Sequence, residues 1–346
     1  MAKVAAETAV EKIHAIEQNI ARVFLGKPEA IRLMVVGLLG GGHILIEDVP
    51  GVGKTVLAKA LARSLDCSFQ RIQFTADLLP SDILGVSIYE ADKASFVFNP
   101  GPIFAHIVLA DEINRGTPRT QGSLLEAMNE LRVTVDRVTH ELPQPFMVLA
   151  TQNPFEYEGT FPLPQSELDR FFLRTTIGYP PHDYERQILE RQLTPRSVDA
   201  LEPVVSGDEV LELQNQVAAV RIEDSLLEYL LTIVARTRRE GAFEMGVSPR
   251  GALMLSRGCR ALALAEGRAY CLPDDVKRLV IPILQHRLLP RGSAGGENEN
   301  GDKYHLRAAP ERVLRTNGTY PHFPQVPQAP VEEALSEILR STPVPV

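Results

Sequence analysis

Val49-Pro50-Gly51-Val52-Gly53-Lys54-Thr55 brings together glycines, a lysine and a hydroxyl at the spacing that handles phosphate. It follows directly on the apolar run Ile44-Leu45-Ile46. Glycines let backbone N–H groups turn inward on phosphate oxygens, a lysine ammonium reaches the β- and γ-phosphates, and the threonine hydroxyl is a ligand for Mg²⁺. Val56 to Leu65 reads as a helix, whose positive N-terminal end faces the same phosphates. Pro50, Gly51, Val52, Gly53, Lys54, Thr55 and Val56 are therefore the expected triphosphate cradle. The usual loop opens on glycine, and here that position holds Asp48. Taken by itself, the stretch also fits an ordinary strand-to-helix turn with an exposed lysine.

Such a cradle hydrolyses ATP only if other groups position Mg²⁺ and an attacking water. Ile107-Val108-Leu109-Ala110-Asp111-Glu112 reads as a buried strand ending in two acids, at the sheet edge where a phosphate loop also lies. Asp111 is expected to hold Mg²⁺ through water, and Glu112 to orient and polarise the attacking water. Without the loop upstream, the same acids would read as solvated charges at a strand end. Asn153, after the apolar run Phe146 to Ala150, offers an amide to the γ-phosphate or the water, or else forms an Asn-Pro turn. Arg170 either pairs with Asp169 or projects toward a neighbouring subunit's nucleotide. Arg250 follows Pro249 at a helix start; it either reaches the γ-phosphate from a second domain or is a solvated helix-end charge. No His-Glu-x-x-His pattern, Gly-x-Ser-x-Gly elbow or Asn-Lys-x-Asp guanine element occurs.

These residues need a scaffold, and 346 residues suffice for about two domains. Strand-like runs at Ile44, Phe69 to Phe74, Ile107 to Ala110, Phe146 to Ala150 and Phe171 to Ile177 alternate with helical stretches. That alternation predicts an α/β domain, a parallel sheet with helices on both faces, over about 1–180. Val86 to Pro102 and the hairpin-like Leu131 to Pro145 read as insertions. From about Pro180 the strand signal disappears, and five helical stretches, Tyr184 to Leu193, Asp208 to Val220, Asp224 to Arg239, Pro249 to Ala265 and Pro273 to Leu288, predict a smaller all-α domain over about 181–290. The Gly-, Asn- and Pro-rich 291–330 reads as a flexible loop before a short C-terminal helix and tail, 331–346.

The formal charge of −8 argues against a general nucleic-acid binder. Cys67, Cys259 and Cys271 are too few and scattered for a disulfide framework or zinc site and suit a reducing compartment. The N-terminal charges Glu7, Glu11 and Lys12 do not suit a secretory signal, and the glycine-broken run Leu33 to Ile46 is short for a membrane span. A cytoplasmic chain without membrane insertion is the expectation.

Taken together, the stretches resemble the AAA+ ATPases and, more narrowly, the MoxR family. The resemblance rests on Glu47 to Thr55, Arg71-Ile72-Gln73-Phe74-Thr75, Asp77 to Asp82, Gly101-Pro102-Ile103-Phe104, Asp111-Glu112-Ile113-Asn114-Arg115 and Leu124 to Met128. It extends through Ala150-Thr151-Gln152-Asn153-Pro154, Leu168-Asp169-Arg170-Phe171 and Val247-Ser248-Pro249-Arg250-Gly251, covering about 5–290. It implies a P-loop AAA+ sheet followed by a helical lid, with Asp48 usual for the family. It further implies Asn153 as sensor 1, Arg170 as an arginine finger acting in trans and Arg250 as sensor 2. Residues 86–102 would match the helix-2 insert and 131–145 the hairpin before sensor 1. The implied assembly is a hexameric ring that uses ATP and Mg²⁺ to remodel or mature client proteins, including metal-cofactor insertion, often beside von Willebrand factor A domain partners. Ala76, where the family often has proline, and the long 291–328 stretch depart from the pattern. A chelatase- or helicase-like motor acting on a tetrapyrrole enzyme or DNA, and a nucleotide-dependent scaffold without turnover, are the competing readings.

Overall fold

The computed structural model describes residues 2–154, 159–191, 195–239, 241–291 and 328–345. The loop expected at 291–330 therefore lies almost wholly outside the described residues. In chain order the strands are β1 (Ile44–Glu47), β2 (Phe69–Gln73), β3 (Gly85–Glu90), β4 (Ser95–Pro100), β5 (Ile107–Asp111), β6 (Arg132–Val135), β7 (Val138–Glu141), β8 (Met147–Gln152) and β9 (Leu173–Thr175). Two short ones, β10 (Phe243–Met245) and β11 (Leu289–Pro290), follow.

The apolar runs assemble into one five-stranded parallel sheet in the order β2-β5-β8-β1-β9. Side chains alternate across a strand, so each central strand supplies both faces. Ile44, Ile46, Ile107, Leu109, Met147 and Leu149 point into one buried cluster, which holds the helices Pro28–Leu39 and Lys54–Ser64. Leu45, Val108, Ala110, Val148 and Ala150 point into the other, against the helix Pro118–Glu130. This order puts β8 between β5 and β1, so three strand ends that carry polar residues emerge side by side.

The two insertions are antiparallel hairpins: β3 with β4, and β6 with β7. The helices Gly207–Ala219, Asp224–Arg239, Pro249–Ala265 and Pro273–Leu284 form the helical region, and Pro249–Ala265 packs on Pro28–Leu39 and Ala2–Ala21. The helix Gln328–Ser341 packs against Asp224–Arg239 and Pro273–Leu284.

Three expectations are corrected. Strand structure does not vanish after Pro180, because β10 and β11 pair antiparallel within the helical region. The helix expected to run to Leu288 stops at Leu284 and tightens into a 3₁₀ turn over Gln285–Arg287. Pro282 lies inside its last turn, where it lacks the N–H for an i−4 hydrogen bond. The strand expected over Phe171 to Ile177 is ladder-paired only at Leu173–Thr175. As an edge strand it has β1 as its single neighbour, and beyond Thr175 a side chain takes over from the ladder, as described below.

Candidate active site

β1 runs into the phosphate loop while still paired: the Asp48 N–H donates to the Gln152 carbonyl of β8 at 3.1 Å. Gly51 and Gly53 then take φ of +86° and +92°, the left-handed region that glycine enters without a Cβ clash. The helix Lys54–Ser64 begins at Gly53 with no side-chain cap and no acid in its first turn. Leaving a helix N-terminus uncapped forgoes about 1 kcal/mol. Burying Leu57 and Leu61, at most 1 % exposed, returns about 1.5–3 kcal/mol each, so packing outweighs the missing cap. The N-terminal amides are thus left without a competing carboxylate, the arrangement that suits an anion. The Lys54 ammonium donates to the Asp48 carbonyl at 2.6 Å, which draws the side chain back across the loop.

Two strands away, β5 delivers the acids. The Asp111 carboxylate accepts from Thr151 Oγ1 at 2.6 Å and from Arg71 Nη2 at 2.6 Å and Nε at 3.1 Å. Glu112 stands at φ +55°, costing about 1 kcal/mol or more for a residue with a Cβ. Its N–H donates to the same Thr151 Oγ1 at 2.9 Å. The fully buried Thr151 hydroxyl therefore accepts from one acid's backbone and donates to the other acid's side chain. The Glu112 carboxylate accepts from Gln73 Nε2 at 2.8 Å and pairs with Arg115 Nε at 3.1 Å.

One cleft of about 660 Å³ is lined by the phosphate loop together with Lys54, Thr55, Asp111, Glu112 and Asn153. Its remaining wall comes from the largely apolar Val23 to Leu25, Ile177 to Pro180, Ile188 and Leu189, together with the charged Lys27, Arg71 and Glu185. The residues fit a magnesium nucleotide. Asp111 and Thr55 supply the hard oxygen donors that Mg²⁺ takes, the uncapped helix and glycine loop suit phosphates, and the apolar wall suits a planar base. Among the described residues, no group of three or more His, Cys, Asp or Glu side chains forms a metal-binding cluster of its own.

Arg170 and Arg250 are not among the residues lining this cleft. The Arg170 guanidinium pairs with Glu167 at 2.8 Å and donates to the Leu125 carbonyl at 2.9 Å. Arg250 Nη2 donates to Asn129 Oδ1. Leu125 and Asn129 are four residues apart on the helix Pro118–Glu130, one above the other on one face. Both arginines are thus gathered on the C-terminal half of that helix.

A second joint is built around the buried Arg287. Asp169 accepts from Ser248 Oγ at 3.1 and 3.0 Å and from Arg287 Nε at 2.9 Å. Ser248 simultaneously caps the helix Pro249–Ala265 by accepting from the Gly251 N–H. Burial pulls the Arg287 guanidinium down to about 10, opposed by Asp169, so it stays charged at neutral pH. Arg71, Gln73, Thr151 and this joint carried no role in the sequence reading. The available signal for the first two was a strand with polar residues at 71 and 73, alternating with buried Ile72.

Residues 43–173 match the ATPase family associated with various cellular activities (AAA), and residues 235–303 match the AAA lid domain. The chain is 49 % identical over 272 residues to the uncharacterised protein YeaC of Bacillus subtilis, covering 79 % of this chain and 85 % of that one. It is 38 % identical over 297 residues to the chaperone MoxR1 of Mycobacterium tuberculosis, covering 82 % and 78 % of the two chains. A crystal structure of a Cytophaga hutchinsonii protein assigned as an ATPase superposes with a TM-score of 0.82 at 32 % identity, covering 100 % of this chain and 98 % of that one.

Proposed function

Because this chain belongs to the MoxR family of AAA ATPases, we propose that it is a chaperone-like motor that remodels other proteins, with each active site completed between neighbouring subunits of a ring. The observation that carries the inter-subunit part is the position of the two arginines. Arg170 and Arg250 rest on the helix Pro118–Glu130, off the cleft of their own chain.

Lys54, the loop amides and the uncapped helix end bind the phosphates of ATP. Thr55 and Asp111 would hold Mg²⁺, which when bound neutralises charge on the phosphate oxygens. Asp111 meanwhile pairs with the Arg71 guanidinium at 2.6 Å. Glu112, fixed at its backbone by Thr151, orients and polarises the attacking water, and Asn153 adds an amide beside the γ-phosphate. Arg170 and Arg250 stabilise the charge developing on a neighbour's nucleotide. The hairpin of β3 and β4 exposes Ile88, Tyr89 and Phe96, the last to 73 %, which favours a polypeptide client over nucleic acid.

Mixed-subunit complementation tests this. Arg170→Ala alone should bind ATP normally yet lose about 10³-fold in kcat. Lys54→Ala alone should not bind ATP. Mixing the two should restore turnover, because each variant supplies what its neighbour lacks. Full activity of Arg170→Ala alone, or no recovery on mixing, would refute the inter-subunit site.

A further inference from the structure

We propose that Asp48 is a positioning residue that fastens the wall of the nucleoside pocket to the phosphate loop, so that the base and the triphosphate are gripped in register. The proposal rests on reading the cleft as the ATP site.

Asp48 stands where the usual loop has a glycine, and it is 8 % exposed. It is not among the residues that line the cleft, although Pro50 to Val56 are. One oxygen accepts from the Val49 N–H at 2.9 Å and so shapes the start of the loop. The other accepts from the successive N–H groups of Ile177 and Gly178, each at 2.6 Å. Two consecutive amides converge on one oxygen because Gly178 turns the chain at φ +65°.

These bonds stand where the sheet stops. The pairing of β1 with β9 ends at Ile46 and Thr175. Beyond it, Asp48 turns its backbone N–H to β8 and gives its side chain to the chain leaving β9. The segment so held, Ile177 to Pro180, is part of the apolar wall of the cleft. A glycine at 48 would leave the Ile177 and Gly178 amides without this acceptor. Asparagine has one acceptor oxygen where the carboxylate uses two. The carboxylate therefore does what neither replacement can: one group bonds the phosphate loop and the wall together. Charge-assisted bonds to two N–H groups are the stronger kind, which suits a strap that must not yield when ligand enters.

The role separates from a general structural one because the bonds to Ile177 and Gly178 act on the nucleoside wall, whereas a loop with glycine at this position, the usual residue, still cradles phosphates. Wild type, Asp48→Asn and Asp48→Gly are titrated calorimetrically with ATP and with inorganic tripolyphosphate, each with Mg²⁺. Wild type should bind ATP more tightly than tripolyphosphate. Both variants should lose about tenfold or more in ATP affinity while their tripolyphosphate affinity stays within about threefold. Equal losses for both ligands, or no loss for either, would overturn the assignment. The wild-type chain gives a second measurement that needs no variant. ATP should slow amide hydrogen exchange in the segment 177–180 more than tripolyphosphate does, and equal slowing would also overturn it. A wild type that binds neither ligand would instead remove the ATP-site reading itself.

Discussion

Replacing Thr151 with valine removes one hydroxyl while keeping its shape, and the site predicts an effect on both acids at once. The hydroxyl is fully buried, donates to Asp111 Oδ1 at 2.6 Å and accepts from the Glu112 N–H at 2.9 Å. The first bond involves a carboxylate, for which about 1.5–3 kcal/mol is typical, and the second is an ordinary bond worth about 1 kcal/mol. Asp111 keeps its two bonds to Arg71, so part of the first loss is recovered, and a net destabilisation of about 2–3 kcal/mol is expected. Catalysis should suffer more than binding. Glu112 occupies the left-handed region at φ +55°, and the Thr151 bond helps hold it there. Freed, the residue relaxes toward ordinary backbone and its carboxylate moves, and a displacement of about 1 Å costs about 10²-fold in rate. Urea unfolding and steady-state phosphate release on Thr151→Val measure the two effects. A variant with unchanged unfolding midpoint and a kcat within twofold of wild type would show that Thr151 holds neither acid in place. A rise in KM at constant kcat would place its role in binding instead.

Glu112→Gln should retain ATP affinity while kcat falls about 10²-fold or more, read by calorimetry beside phosphate release. Arg287→Met should destabilise the fold by about 3 kcal/mol, because it removes one donor from the Phe171 carbonyl and leaves part of Asp169 without its charged partner; a melting temperature equal to wild type would contradict this. Gly42→Ala should cost about 1–3 kcal/mol, since a methyl there collides with the Phe172 side chain, and thermal unfolding reads it directly. Acid stability should follow His43. Its ring lies between the Met128 carbonyl and the Val148 N–H, and burial lowers it from 6.5 to about 4. The unfolded chain takes up the proton first as pH falls, so stability present above pH 6.5 is lost progressively down to about pH 4. The loss is on the order of 3 kcal/mol. His286, also buried and shifted well below its usual value, acts in the same direction. A flat urea midpoint between pH 7 and pH 5 would refute the assignment.

Local rules made much of this molecule legible from its residues. The phosphate loop declares itself because glycine, lysine and threonine at that spacing have one shared chemistry. The buried strands declare themselves because a parallel strand covered on both faces must be apolar throughout, as Ile107 to Ala110 is. Helix limits at Asp224–Arg239 and Pro249–Ala265 follow from periodicity and caps within one turn. What folding alone decided are the contacts between residues far apart in the chain. Nothing near Asp48 announces that its carboxylate will meet amides at 177 and 178, and nothing near Thr151 announces that it will join two acids on another strand. Arg170 and Arg250 are ordinary charges until the helix Pro118–Glu130 collects them on one face. Local propensity is set by neighbours within a few residues. These side chains meet only because the sheet order brings β1, β8 and β5 together, and that order is a property of the packed whole.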